Sequence, residues 1–267
     1  MIGFKVSPLL WRHVPRAKSA GRVQSPTLRI LCEKEDERDL HIPEEYWPFE
    51  SSFDFLGTSF EAKLTQISER SINKEPLKDE VEVNNLINEL RNASFKLEAI
   101  KSKAQSTSPK APFRTSTLQM SAASGLGFTA DRTMQAAQKL YEGGLITYLR
   151  TDGISISTSP NTGEPFSEEN PGPPPLQEIR NFISSHYDSS FLSKEPRIYK
   201  SKVQNSQEAH EAIRPTDINR SPEAIKKYLS TDQNKLYNLI WCSALSSQMS
   251  SAKFDRNTIT VETDDKN

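Results

Sequence analysis

The residues between Pro112 and Tyr148 constrain the fold of this chain more than any other stretch. A start rich in threonine and serine can cap a short helix, which Gly125-Leu-Gly127 would end. A second helix is predicted to follow its cap, Thr129, and to end at Gly143-Gly144. Residues Leu145 to Tyr148 then have strand character. Helix, glycine turn, helix and strand form the outline of a winged helix-turn-helix, although many such helix pairs bind nothing.

Tyr148 and Arg150 are the first candidates for chemistry in this region. On a strand, side chains two residues apart point to the same side, so these two would share a face. A phenol, with a pKa near ~10, is a poor nucleophile unless its oxyanion is stabilised. A guanidinium beside it can stabilise that charge and can also bind a phosphate through two hydrogen bonds. The alternative is a buried strand tyrosine next to a surface arginine.

Charge is distributed unevenly along the chain, although the net charge of its 267 residues is only −1. Residues 1–32 contain six Lys or Arg and no Asp or Glu, whereas residues 33–50 are strongly acidic. A local basic segment of this kind is compatible with binding to nucleic acid. The dense alternating charge of residues 33–39 is typical of a solvated helix face, so no metal site is predicted there. Cys32 and Cys242 are far apart and outside any CxxC motif, which disfavours a structural zinc or a disulfide framework.

Within the basic segment, Ser19-Ala-Gly-Arg-Val-Gln-Ser25 is a candidate site for a nucleic-acid backbone. Its three small residues allow another backbone to come close. Arg22 offers a positive charge for a phosphate, and the glutamine and final serine offer neutral hydrogen bonds. The alternative is an ordinary helix start capped by Ser19, within a helix predicted from Val6 to Arg38.

A second polar motif, Gln207-Glu-Ala-His-Glu-Ala-Ile-Arg-Pro215, contains His210 and Arg214. These residues are four apart, so they would lie on one face if the segment is helical. A histidine and an arginine together can hold a phosphate and move or steady a proton. A lone histidine would more often have a structural role.

The remaining pattern predicts both helices and strands. Aromatic and polar residues alternate between Pro43 and Gln66, which indicates antiparallel strands with a turn at Gly57-Thr58. The Lys- and Ser-rich residues Lys101 to Lys110 lack apolar periodicity and are predicted to be a linker. Further predictions are an apolar stripe of Met134, Ala137 and Tyr141 on the second helix, a surface loop at 158–175, helices at Leu176–Tyr187, after Ser221, and at Asp232–Met249, and a strand at Arg256–Glu262 with Ile259 and Val261 inward.

Three stretches together resemble the type IA DNA topoisomerases, and more closely their bacterial topoisomerase I branch. They are the Ser19–Ser25 motif, Ile146-Thr-Tyr-Leu-Arg-Thr-Asp152 and Ala209-His-Glu-Ala-Ile-Arg-Pro215. Ala111-Pro-Phe-Arg-Thr-Ser-Thr-Leu118 and Leu140-Tyr-Glu-Gly-Gly-Leu-Ile146 are also similar to that family. The order and spacing of these motifs match the family over nearly the whole chain.

The resemblance implies a multidomain α+β protein that is part of a toroidal enzyme, and an ATP-independent reaction on DNA. The enzyme would cut one strand through a 5′-phosphotyrosine link, pass a strand, reseal the break and relax negative supercoils. Its partner would be DNA, mainly single-stranded segments of an underwound duplex, and the protein would be a monomer. The implied catalytic residues are Tyr148, Arg150 and His210, and the implied DNA-binding residues are Ser19, Ala20, Gly21, Arg22, Val23, Gln24, Asp152 and Arg214.

The resemblance also implies four regions. Residues 1–48 would be a helical base segment and 49–105 the first part of a β-rich arch. Residues 106–252 would be the lobe that carries the tyrosine, similar to a winged helix, and 253–267 the return strand of the arch. Family members also have a Toprim domain whose acidic cluster binds Mg²⁺. No such cluster precedes the Ser19 motif, so the magnesium ligands are expected outside this chain.

We therefore expect the chain to be an inactive piece of the enzyme that binds single strands weakly. Its hydrophobic share of 34% is low for a compact domain, which also indicates a part of something larger. The alternative function is a non-catalytic DNA-binding module built on the helix-turn-helix outline. Both a bacterial cytoplasm and a plastid or mitochondrion are compatible with the sequence.

Overall fold

The computed structural model of the chain describes residues 2–159, 173–200 and 211–264. These residues form a mixed structure of helices and strands that separates into two compact units. The first unit comprises Met1–Ala99 and Thr260–Asn267, and the second comprises Ile100–Ile259. The predicted division into four regions stays a prediction. The helices are α1 (Ile2–His13), α2 (Gln24–Asp39), α3 (Glu80–Arg91), α4 (Thr115–Leu126), α5 (Ala130–Glu142), α6 (Pro175–His186), α7 (Pro222–Ile225) and α8 (Thr231–Ser247), and the strands are β1 (Glu50–Phe55), β2 (Thr58–Lys63), β3 (Gln66–Ile67), β4 (Arg70–Ser71), β5 (Phe95–Thr107) and β6 (Ala252–Thr263).

The first unit has a small core and a β-hairpin. Strands β1 and β2 pair in antiparallel register, with Phe53 opposite Phe60, and their rings stack. Leu56 and Gly57 both have positive φ, which is the geometry that a two-residue hairpin turn requires. The predicted antiparallel strands are therefore confirmed, but the turn expected at Gly57-Thr58 lies one residue earlier, since Thr58 begins β2. The small core of this unit consists of Ile72, Leu77 and Val83, which are buried together. Helix α2 buries none of its side chains.

The second unit is built around one large core. Helices α4, α5, α6 and α8 contribute most of its fully buried side chains, such as Leu118, Leu140 and Ile240. Local signals start and stop these helices as the sequence predicts. Thr129 accepts a hydrogen bond from the Arg132 backbone at the start of α5, and Gly127 ends α4 with a φ of 66°. The helices expected near 176–187, after Ser221 and near 232–249 are confirmed.

Two secondary-structure predictions in the N-terminal half are wrong. The helix expected from Val6 to Arg38 is two helices, because residues 14–23 are not helical. Val14 precedes Pro15, and a residue before proline is disfavoured in the helical conformation. The linker expected at Lys101–Lys110 is largely strand β5, which pairs with β6. The sequence pattern missed this strand because both of its faces are exposed, so it has no apolar alternation.

Three further expectations in the second half are wrong in whole or in part. Leu145 to Tyr148 form no strand, only one isolated bridge between Ile146 and Pro215. Of the stripe predicted on α5, Ala137 is buried and Met134 packs against the core, but Tyr141 is 39% exposed. Thr133, Ala136 and Leu140 complete the buried face. Ile259, expected inward, is 59% exposed. The predicted loop at 158–175 lies mostly outside the described residues. Within the described ranges, no helix has the length and apolarity needed to cross a membrane.

Candidate functional site

Tyr148 lies on the surface of the second unit, on a segment whose alternate residues are buried. Its side chain is 53% exposed, whereas Ile146 and Leu149 are each 1% exposed. Arg150 is exposed as well, so both predicted residues face solvent. The alternative of a buried tyrosine is therefore wrong. Within the described residues, no hydrogen bond or ion pair joins Tyr148 to Arg150 or occupies either side chain.

Helix α4 holds this segment from one side. The Thr115 backbone N–H donates to the Thr151 carbonyl over 3.0 Å. The Thr115 hydroxyl lies 2.7 Å from the Leu149 carbonyl oxygen and accepts from the Thr151 N–H over 2.9 Å. One threonine at the start of α4 thus fixes the backbone on both sides of Arg150. The sequence indicated the threonines and the serine at the start of α4 as candidate helix caps and did not reveal this role, since the partner residues are more than thirty positions away.

The segment 211–216 holds the tyrosine from the other side. The Thr147 N–H donates to the Arg214 carbonyl over 2.9 Å, and the Arg214 N–H donates to the Thr147 hydroxyl over 3.0 Å. The Thr151 hydroxyl donates to the Glu211 carbonyl over 2.9 Å. Residues 211–214 are not helical, so the helical arrangement considered for His210 and Arg214 does not hold over the described part of the motif. His210 itself lies outside the described residues.

The Arg214 side chain is buried and fully engaged with its neighbours. Its guanidinium donates to both carboxylate oxygens of Glu211, over 2.7 and 3.0 Å, and to the Pro215 carbonyl over 2.9 Å. Glu211 also accepts from the Ser157 backbone N–H over 2.7 Å. The bidentate pair holds the Glu211 carboxylate, and the Ser157 N–H bond to that carboxylate ties the stretch after Tyr148 to the polar motif. The guanidinium that was predicted to bind DNA has protein partners here, and DNA contact by Arg214 stays a prediction.

Glu178 on α6 belongs to the same surroundings. Burial raises the pKa of its carboxyl, while the positive charge of Arg214 opposes that rise and the negative charge of Asp217 adds to it. The electrostatic influence of Arg214 therefore extends beyond Glu211, to a second carboxyl that lies on helix α6.

The Tyr148 ring has one aromatic neighbour among the described residues. Tyr141, in the last turn of α5, packs edge to face against it, with ring centroids 5.4 Å apart and an angle of 66° between the planes. Gly143 and Gly144 connect the helix to the tyrosine segment, and Gly144 has a φ of 66°, a conformation that glycine adopts without strain. The glycine pair thus turns the chain so that the two rings meet.

The Ser19 motif lies in the first unit, in the connection between α1 and α2. Its residues line a groove of about 560 Å³ together with residues of α1, among them Phe4 and Trp11. The Ala20 N–H donates to the Ser7 hydroxyl over 3.1 Å, and Trp11 donates from Nε1 to the Lys18 carbonyl over 2.8 Å. The groove contains all six residues predicted to bind DNA there: Ser19, Ala20, Gly21, Arg22, Val23 and Gln24.

The side chains of the motif differ in what they do within this groove. Arg22 is exposed and has no hydrogen-bond or ion-pair partner among the described residues, so its guanidinium is available. Ser19 and Gln24 bond to each other over 3.2 Å, and the cap of α2 is Val23. The alternative of a helix start capped by Ser19 is therefore wrong. Asp152, the remaining predicted contact, is exposed in the second unit.

The described residues offer no cluster of three or more His, Cys, Asp or Glu side chains that could hold a metal ion. Glu211, a carboxylate within the polar motif, already accepts hydrogen bonds from Arg214 and Ser157. These residues do not fit a magnesium site, and we assign them no metal-dependent step.

Comparison with known proteins gives a match over the whole chain. The family model for DNA topoisomerase matches residues 1–267. A curated relative, DNA topoisomerase 1 of Rickettsia bellii, is 43% identical over 277 residues, which cover 100% of this chain and 32% of the relative. DNA topoisomerase 1 of Zymomonas mobilis is 40% identical, with 97% of this chain and 20% of the relative covered. The chain thus spans about a third or less of these relatives.

A solved structure, full-length topoisomerase I from Thermotoga maritima, matches with a TM-score of 0.67. It is 31% identical in sequence, and the match covers 98% of this chain and 39% of that structure. The similarity therefore extends through both units described above.

Proposed function

This chain belongs to the type IA DNA topoisomerase family, and we propose that it carries the nucleophile with which such an enzyme opens one DNA strand. The observation that carries the proposal is the exposure of Tyr148 on a segment whose backbone is fixed on both sides. A nucleophile must be reachable by its substrate and must also be held in a defined position. Tyr148 meets both requirements.

In the proposed reaction, the Tyr148 hydroxyl oxygen attacks a backbone phosphorus. The new bond joins the tyrosine to the phosphate at the 5′ end of the downstream fragment, and the bond between phosphorus and the 3′ oxygen of the upstream fragment is broken. The phenol loses its proton and the departing 3′ oxygen gains one. Because one phosphodiester replaces another, the reverse attack by the 3′ hydroxyl reseals the strand without ATP. Between the two steps another strand can pass, which relaxes negative supercoils.

Arg150 is proposed to stabilise the charge that develops on the phosphoryl group. Its guanidinium is exposed and unpaired within the described part of the chain, so no protein contact has to be broken first. His210 and Asp152 are proposed to act beside it, at the phosphate and on the bound strand. The groove of Ser19–Gln24 is proposed to hold the single strand, with Arg22 as its phosphate contact.

Mg²⁺ is proposed as a cofactor whose ligands come from outside the described residues. It would supply a positive charge that holds backbone phosphates during transfer. The residues described here would orient the strand and the tyrosine whether or not that ion is bound.

A trapping experiment tests the proposal. The chain, alone and within a full-length enzyme, is incubated with a single-stranded oligonucleotide labelled at its 3′ end, denatured and examined for a covalent adduct. We expect the full-length protein to retain the 3′ label and to release a 5′ label, because tyrosine is joined to the downstream fragment. Tyr148→Phe should abolish the adduct, while the control Tyr187→Phe, a surface tyrosine of the same unit, should leave it unchanged.

Two results would contradict the proposed enzymatic function. One is an adduct of undiminished yield from Tyr148→Phe. The other is the lack of any adduct from the full-length protein, together with salt-sensitive binding that does not depend on Tyr148. That second result would support the non-catalytic binding module instead.

A further inference from the structure

The Tyr141 side chain has no role in the core of the second unit. It is 39% exposed, and the buried face of α5 is formed by other residues. An aromatic ring at the surface normally samples several rotamers. Tyr141 instead lies edge to face against Tyr148, at a centroid distance of 5.4 Å. The Tyr141 ring therefore packs against Tyr148, the side chain that is the nucleophile in the proposed function.

The end of α5, which carries Tyr141, is held in place by burial and by backbone hydrogen bonds. Its neighbour Leu140 is completely buried, and the Leu140 carbonyl accepts from the Leu145 N–H over 2.9 Å. The Tyr141 carbonyl accepts from the Gly144 N–H, also over 2.9 Å. The end of α5 and the start of the tyrosine segment therefore form one hydrogen-bonded turn, which carries both rings.

The contact with Tyr141 matters because the other described contacts of this segment do not restrain the Tyr148 ring. The hydrogen bonds to Thr115, Glu211 and Arg214 hold the backbone of residues 147–151, and none of them reaches the phenol. Backbone restraint alone leaves the ring of Tyr148 free to rotate about its side-chain bonds. The edge-to-face contact is the described interaction that limits this rotation.

We propose that Tyr141 is a positioning residue, which holds the Tyr148 ring by edge-to-face packing in the orientation for attack on the phosphate. This inference rests on the proposed function of Tyr148. The action belongs to the Tyr141 ring and not to its hydroxyl, because the recorded contact is between the two aromatic rings. Tyr141→Phe should therefore retain the positioning of Tyr148, and Tyr141→Leu should lose it.

The first arm of the test measures the contact itself, without any reaction. The protein is labelled with 3-fluorotyrosine, and the fluorine resonance of Tyr148 is assigned from its loss in Tyr148→Phe. Tyr141→Leu removes a ring current beside Tyr148, so the Tyr148 resonance should shift, whereas Tyr141→Phe should retain most of the original shift. The matched control is Tyr187→Leu, since Tyr187 is also 39% exposed and has its own aromatic neighbour, Phe191. An unchanged Tyr148 resonance in Tyr141→Leu would overturn the inference.

The second arm measures adduct formation by the full-length protein in a single turnover, with oligonucleotide affinity determined separately. Aromatic pairs of this kind contribute modest energies, so Tyr141→Leu should slow adduct formation at saturating DNA by roughly 2- to 10-fold. The dissociation constant should not change. Tyr141→Phe should restore the rate, and Tyr187→Leu should have no effect.

Each other outcome contradicts the inference in its own way. An unchanged rate in Tyr141→Leu would show that the ring is dispensable, while the adduct itself would still support Tyr148 as nucleophile. An equal loss in Tyr141→Phe would assign the effect to the hydroxyl. Weaker DNA binding with an unchanged saturated rate would make Tyr141 a surface that stacks on a base. If the unsubstituted protein forms no adduct, the proposed function fails and the inference fails with it.

Discussion

The Ser19–Gln24 motif lies on an exposed connection between two helices, whereas Tyr148 lies on a connection held from both sides by other parts of its unit. The first region has few buried neighbours, and α2 beside it buries no side chain. The second is bonded to Thr115 and to residues 211–216, which are part of a large core. The difference matches what each region is proposed to do. Holding a flexible strand requires accessible charge, whereas attacking one atom requires a fixed position.

The largest effect that tests this comparison is expected at the pair of Glu211 and Arg214, in which the Arg214 side chain is 9% exposed and the Glu211 side chain 24%. Glu211→Gln leaves the buried guanidinium without its charged partner, and we expect it to destabilise the second unit by about 3 kcal/mol. Hydrogen exchange of the 145–151 amides, measured by mass spectrometry, should increase. Asp232→Asn is the matched control, because Asp232 and Arg132 form an equally bidentate pair in which the guanidinium is 50% exposed rather than buried. The loss of stability in Asp232→Asn should be much smaller. Similar losses in both variants would contradict the proposed difference between the two ion pairs.

A smaller effect is expected at Thr115. Thr115→Val keeps the shape of the side chain and removes its hydroxyl, which leaves the Thr151 N–H without that acceptor. We expect a loss of about 1–3 kcal/mol in the stability of the second unit, and slower adduct formation in the full-length protein. Urea denaturation and single-turnover trapping measure the two effects. Thr115→Ser retains the hydroxyl and should behave like the unsubstituted protein. If Thr115→Ser loses as much stability and slows adduct formation as much as Thr115→Val, the hydroxyl is not the group responsible for these effects.

The smallest effect on stability is expected in the groove. Arg22→Ala should leave the melting temperature unchanged, because the exposed guanidinium has no partner among the described residues. It should weaken binding to single-stranded DNA and reduce the slope of log affinity against log salt by about 0.7, the contribution of one phosphate contact. Arg29→Ala is the control, since Arg29 is also exposed but pairs with Glu33. A salt slope unaffected by Arg22→Ala would remove this residue from the proposed strand-binding groove.

Local signals in the sequence predicted much of the fold correctly. The cap at Thr129, the glycines that end α4 and α5, and the hairpin turn at Gly57 act over a few residues, so they can be recognised without knowing the tertiary structure. The sequence also predicted Tyr148 and Arg150 as candidates for chemistry, since that prediction depends on residue types and spacing. Strand β5 was not visible, because a strand exposed on both faces lacks the alternation by which strands are recognised.

The tertiary structure alone decided how the tyrosine is held. Thr115 meets Thr151 across 36 positions, and Thr147 meets Arg214 across 67, so no local pattern could reveal either contact. The same is true of the Tyr141 ring, which the helical period assigned to the core and the structure places against Tyr148. The sequence by itself determined which groups are available for chemistry, because that depends on residue type. Their exposure and partners depend on which distant segments pack together, and only the folded chain determines that.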